Sequence, residues 1–386
     1  MLSPEVPPPA RLNYTAARVS VSTFFFLMGL SFASWASRIP DIQENLHLSA
    51  GELGSILLGM PLGSLVALAP AGWLVTKLGS RKVTLWALVA YVAALPLLGL
   101  MTSGWQLAVA LFLYGAAGDV SNIAVNTQVV NVERGLGKPI MSSCHGLFSI
   151  GAFAGSALGG IAVSLRISPL YHFLAVLFLS VVMALVSVRA LLSQDHKQQT
   201  STEKTPLFVW PDRALLLLGL IAFCCMLTEG AMADWSSIYY RQRGGGVASL
   251  GYTAFTITMA AGRFMGDWLT VRLGIRKMLQ ISGLGIALGM ALAVSAPFPW
   301  AVIIGFLIIG FGVAVVVPLV YSEAGRSETM SAGIALAAVS TVGYTGFLMG
   351  PPLIGFVAEA ATLRIALSIV IILGFTIWLL ARRVRH

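Results

Sequence analysis

Trp73-Leu74-Val75-Thr76-Lys77-Leu78-Gly79-Ser80-Arg81-Lys82 closes one long apolar run, and Trp268-Leu269-Thr270-Val271-Arg272-Leu273-Gly274-Ile275-Arg276-Lys277 closes another. The Trp-Leu pair, the cation-Leu-Gly triplet and the Arg-Lys pair recur at an offset of 195 positions (268 minus 73), about half of the 386 residues. Gly151, Gly155 and Gly160 recur at that same offset as Gly346, Gly350 and Gly355. Two motifs in register at one spacing mark an internal duplication. Parallel halves embedded in a membrane are a transporter architecture.

Composition supports the membrane. Charged residues make up 10% of the chain and hydrophobic ones 57%, with a mean hydropathy of +0.87. Ordinary soluble domains carry roughly 25% charged residues. The net charge of +9 is dispersed over short loops between apolar stretches, which argues for a membrane and against nucleic acid as the partner. Cys144, Cys224 and Cys225 lie inside apolar segments, so neither a disulfide framework nor a metal-ligand spacing is indicated. The Pro-rich N-terminus lacks the basic and apolar regions of a signal peptide and is expected to be a disordered tail over residues 1–15.

A bilayer core needs about 20 apolar residues per helix. The chain divides into about twelve such pieces. Those of the first half are 16–37, 51–76, 83–101, 105–130, 140–165 and 170–192; those of the second are 214–237, 247–271, 278–296, 300–321, 332–357 and 363–380. The expected organisation is an all-α integral membrane protein: a six-helix bundle over 16–192, a polar linker over 193–212, a second bundle over 213–380 and a basic tail over 381–386. An N-terminus in the cytoplasm places Arg18, Lys77, Arg81, Lys82, Arg134, Arg272, Arg276, Lys277 and Arg382 inside, and leaves Arg38, Arg166, Arg241, Arg243 and Arg364 outside. Positively charged loops resist translocation, so both termini are expected in the cytoplasm.

Ionisable residues in the hydrocarbon region usually face a cavity or a partner. Asp119, Asn122 and Asn126 stand at i, i+3 and i+7 in the fourth span and share one helical face. His145 lies early in the fifth span, with its role open between a proton or substrate contact and a structural hydrogen bond. Glu229 is deep in the seventh span, where desolvation and a counter-charge act on a carboxyl in opposite directions and alternating hydration can switch its protonation. Asp119, Glu229 and His145 are therefore the proton-coupling candidates, with H+ as the expected coupling ion and no cofactor or metal. Arg263 and Asp267 are spaced for an i, i+4 ion pair. Trp35 and Trp235, near the outer ends of the first and seventh spans, read either as interfacial belt residues or as stacking platforms. Tyr344 belongs to a hydroxyl-bearing stretch of the eleventh span, and it joins Asn122, Asn126 and His145 as a substrate-binding candidate. Arg38 and Asp234 are a candidate outer gate pair. No nucleophile and base stand in a catalytic spacing, so an enzyme is not expected.

These features resemble the major facilitator superfamily over nearly the whole chain. The loop after the second span is similar to the family signature GxxxDRxGRR/K through Gly72, Lys77, Gly79 and Arg81, with Thr76 in the place of the acid. The second copy presents Arg272, Gly274 and Arg276, and Asp267 is expected to supply an acid there. The fifth span resembles the exporter-type GxxxGPxxGG pattern through Gly151, Gly155, Gly159 and Gly160; Ser156 stands where that pattern has proline, which weakens the case for drug antiport. Arg38-Ile39-Pro40, Asp119 with Asn126, His145-Gly146 with Ser149, and Asp234-Trp235 resemble a YbjJ-like, fucose-permease-like bacterial branch. The resemblance implies a monomeric secondary transporter in the bacterial cytoplasmic membrane. It would carry a small polar solute, sugar-like or a related metabolite, by alternating access and proton symport, with a proton-driven exporter as the rival reading.

Overall fold

The computed structural model describes residues 13–48, 50–193, 211–244 and 250–384. Twelve long helical segments are present among them. We number them α1 (Tyr14–Ala36), α2 (Ser55–Leu78), α3 (Ser80–Leu98), α4 (Gly104–Leu136), α5 (Met141–Ser164), α6 (Pro169–Ala190), α7 (Arg213–Gln242), α8 (Leu250–Leu273), α9 (Ile275–Ser295), α10 (Pro299–Ala324), α11 (Ala332–Ala360) and α12 (Leu363–Ala381). Eleven meet the length and apolarity needed to cross a membrane. The other is α8, long enough at 24 residues but interrupted by Arg263, Asp267 and Arg272. Most of the expected linker and tails lie outside the described residues. Helix α1 begins at Tyr14, because the Asn13 side chain accepts a hydrogen bond from Ala16 N at 3.0 Å and caps it. Helix α4 continues six residues past the end expected from hydropathy, since Asn131 and Glu133 in its last turns are buried inside the protein.

Packing repeats with the duplication. Helix α1 lies on α5 as α7 lies on α11; α2 pairs with α4 as α8 does with α10; α3 meets α6 as α9 meets α12. The recurring glycines explain the first of these equivalences. A Cβ on Gly151 would collide with the Phe26 carbonyl and one on Gly346 with that of Phe223; Gly155 and Gly350 meet Leu30 and Leu227 in the same manner. Backbones can approach this closely only where a side chain is missing. The two basic turns are equivalent as well. Gly79 at φ 85° and Gly274 at φ 77° end α2 and α8 in the left-handed region that favours glycine.

The halves meet along two seams, α2 with α11 and α5 with α8. Each seam is tightest toward the basic-loop end. On one, Gly72 faces Gly333 and Ala337, and the Thr76 and Ser331 hydroxyls are 2.6 Å apart. On the other, Gly266 lies against Ser142 and Val315, and Gly146 against the Phe264 ring.

Candidate functional site

Helix α4 carries the polar stripe into the interior. Asp119 is only 4% exposed and Asn126 is fully buried. The Asn126 amide nitrogen donates to the Asn122 backbone oxygen at 2.8 Å and to its side-chain oxygen at 2.7 Å, which fixes the amide orientation and turns Asn126 Oδ1 away without a partner. Asp119 lies against the Ser64 and Tyr344 hydroxyls and the Asn122 amide, while its Oδ1 makes no hydrogen bond. Tyr344 comes from α11. The stripe thus reaches the opposite half at Asp119. Gln128, off the stripe, is structural: it donates to Ser80 Oγ at 2.7 Å and Leu192 O at 3.0 Å and accepts from Leu192 N at 3.0 Å.

Across the other seam, Arg263 reaches from α8 to Ser149 Oγ on α5 at 2.8 Å. Its second contact is Glu229 at 3.9 Å, an ion pair too long for a hydrogen bond. Nε has no partner. Arg263 is about 15 Å from the basic end of α8 at 1.5 Å per residue, near the middle of a bilayer core of about 30 Å. His145 is partly buried, its ring 4.9 Å from that of Phe25 and 6.3 Å from that of Tyr321, with Nε2 unpartnered.

Two expected arrangements are corrected by these contacts. Arg263 pairs with Glu229 rather than Asp267, because the Asp267 oxygens are taken by the Ser142 and Ser143 backbone N–H groups at 3.0 and 2.9 Å. Arg38 and Asp234 make no contact in this arrangement, which is closed at the basic-loop end: Arg38 Nε pairs with Asp41 and its Nη2 donates to Ile167 O at 2.8 Å, all within one half. Trp35, 2% exposed, is packed inside its half and presents no stacking face. Trp235 is partly buried on α7 with its ring beside Gly355.

The closed end has a construction that hydropathy and spacing did not expose. Helix α5 begins after Ile140, a residue with no side-chain acceptor for the orphan N–H groups of a helix start. Glu133 Oε1 accepts from Ile140 N and Met141 N at 2.7 and 2.9 Å, and Asp267 accepts from the next two. The first carboxylate belongs to the same half as α5 and the second to the other. Glu133 also receives the Ser322 hydroxyl of α10 at 2.5 Å, and Arg134 donates to Gly325 O at 2.6 Å. Continuing the α4 stripe would have found Glu133, which stands seven residues after Asn126 on the same face. The loop cations serve locally. Lys77 lies over Trp73 at 4.5 Å and Arg272 over Trp268 at 4.1 Å, Arg81 donates to Val188 O at 3.2 Å, and Arg276 is partly exposed on the first turn of α9.

Buried and partly buried ionisable groups thus lie at mid-depth between two pseudo-symmetric bundles, where such side chains usually face a cavity or a partner. Similarity to known proteins agrees. A model of the Major Facilitator Superfamily matches residues 19–327. An uncharacterized MFS-type transporter of Yersinia pestis is 36% identical over 370 residues, 95% of each chain. Membrane protein MosC of Rhizobium meliloti is 33% identical over 371 residues, 95% of this chain and 89% of its own. A crystal structure of the transporter FucP in the outward conformation superposes with a TM-score of 0.80 at 18% identity, over 97% of this chain and 99% of that one. The chain therefore belongs to the major facilitator superfamily, and it is a membrane transporter rather than an enzyme in the usual sense.

Proposed function

We propose that the protein moves a small polar solute across the bacterial cytoplasmic membrane, both termini inside, as a proton-coupled symporter. The observation that carries this reading is Asp119: a carboxyl 4% exposed, without an ion-pair partner among the described residues, and lying against Tyr344 of the opposite half. An unpaired carboxylate charge is costly in a medium of low dielectric constant. A carboxyl that separates the halves when they open and joins them when they close is therefore placed to exchange a proton with each side in turn. Asn122, Tyr344 and His145 line the same region and supply hydrogen bonds to a solute. With the basic loops in the cytoplasm, the closed seams described above correspond to a state shut toward the cytoplasm.

A structural neighbour supports the coupling by analogy, since one FucP structure is that of the Escherichia coli fucose:proton symporter, with a TM-score of 0.79 at 17% identity. The test uses proteoliposomes with an imposed pH gradient and measures alkalinisation of the outer medium on solute addition. Asp119→Asn is expected to abolish the proton movement and reduce gradient-driven accumulation at least tenfold, equivalent to about 1.4 kcal/mol, while counterflow persists. Unchanged coupled uptake by folded Asp119→Asn protein defeats the proposed role. Solute movement opposite to the proton would assign the exporter mode instead.

A further inference from the structure

The charges and unused hydrogen-bonding atoms between the halves are unequal in a way that bears on the solute. On α4, the unpartnered buried atoms are Asn126 Oδ1, always an acceptor, and Asp119 Oδ1, an acceptor whenever that carboxyl is ionised. Their side chains are 4% and 0% exposed, and the Asn126 carbonyl cannot be exchanged for its amide without losing the two bonds its nitrogen makes. In the other half, Glu229 and Asp234 of α7 and Arg263 of α8 lie within electrostatic reach of the Tyr252 hydroxyl of α8, and Asp234 is solvent-exposed. Arg263 is already engaged by Glu229 and Ser149. Asp234, by contrast, has no hydrogen bond or ion pair among the described residues. Tyr252 is 39% exposed and stacked on Phe255 with ring centroids 6.1 Å apart, so its face is held in place.

A surface of this kind has a chemical preference. Carboxylates without cations attract positive charge, and an oriented tyrosine ring adds a cation–π contact. Buried acceptors need donors, and an ammonium supplies three N–H groups and accepts none. An anionic solute would find only the free Nε of Arg263 and would face the negative charge of Glu229, Asp234 and Asp119. We propose that the transported solute carries a protonated amine, read by Asp234, Glu229 and Tyr252 on the α7–α8 wall, while its remaining donors face Asp119 and Asn126. This inference rests on the transport reading for the place of the site, and it assigns the solute charge to residues other than the proposed proton carrier. His145 Nε2 and Arg263 Nε, also unpartnered, remain available to hydroxyl groups of the solute.

The experiment compares charge series built on one skeleton. Thermal unfolding of the full chain in lipid nanodiscs is followed with glucosamine, glucose and glucuronate, and with putrescine, butanediol and succinate. A ligand that binds the folded state raises the midpoint. The expected result is a rise with the amine in at least one series that exceeds the rise with both analogues. It should be lost in Asp234→Asn and weakened at least threefold in apparent affinity in Tyr252→Leu. A neutral or carboxylate member that equals or exceeds its amine overturns the inference, as does a complete lack of amine response or an amine response unchanged in both variants. Asp119→Asn keeps the two readings apart: loss of proton movement with a neutral solute preferred would sustain the symport reading and defeat the amine.

Discussion

The two seams between the halves occupy equivalent positions in the duplicated frame and are closed by different chemistry. Along α2 and α11 the contact is small and neutral, Gly72 against Gly333 and the Thr76 hydroxyl against that of Ser331. Along α5 and α8 it is charged, with Asp267 on the start of α5 and Arg263 on Ser149. Duplication has kept the backbone geometry, including the left-handed glycine turns, and left the electrostatics free to diverge. A hydrogen bond to a charged group contributes about 1.5–3 kcal/mol where a neutral one contributes about 0.5–1.5. The charged seam is accordingly expected to govern how readily the basic end opens.

Breaking the start of α5 should have the largest effect. Glu133→Ala leaves the Ile140 and Met141 N–H groups and the Ser322 hydroxyl without their acceptor. We expect a cost of about 3 kcal/mol, visible as a lowered unfolding midpoint, with Glu133→Gln milder because the acceptor oxygen survives. A midpoint unchanged in Glu133→Ala would mean that water replaces the carboxylate without cost.

The seams themselves are compared by spin labels at positions 82 and 277, both exposed beside the basic turns. Asp267→Asn removes the charge but not the size. It should shift the closed-to-open ratio toward open by about 2 kcal/mol, roughly thirtyfold, seen as a longer inter-label distance by double electron–electron resonance. Thr76→Val should shift the same ratio by about 1 kcal/mol, roughly fivefold. Equal shifts in the two variants would remove the distinction between a charged seam and a neutral one.

The smallest expected effect lies at the start of α7. Asp212 Oδ1 accepts from Ala214 N and Leu215 N at 2.9 and 2.8 Å, and Oδ2 accepts from Thr329 at 2.6 Å. The Leu215 N–H, then the Thr329 hydroxyl, hold this carboxyl below the usual carboxylate range. A lowered carboxyl pKa stabilises the fold above the unfolded value of about 3.9, and the contribution is lost as the pH falls through the folded value. Asp212→Ala is therefore expected to cost about 0.5–1 kcal/mol at neutral pH. That difference should shrink toward zero when thermal unfolding is repeated in increasingly acidic buffer.

Much of this molecule was legible along the chain. Apolar runs of bilayer length set the helices, because backbone groups in lipid must find their hydrogen bonds within the segment. The 195-residue echo marked the halves, and the i, i+3, i+7 spacing of Asp119, Asn122 and Asn126 marked the polar face, since spacing along one helix is a local property. The same local reasoning misplaced Arg263. It paired Arg263 with Asp267 across one helical turn, whereas the α5 N–H groups, remote in sequence, compete for Asp267 and prevail. Glu133 was overlooked because its stripe continues past the apolar window. Sequence alone determines which segments enter the membrane and which face of each is polar; only the tertiary structure decides which polar face meets which, because that depends on the rotation and depth of helices distant along the chain.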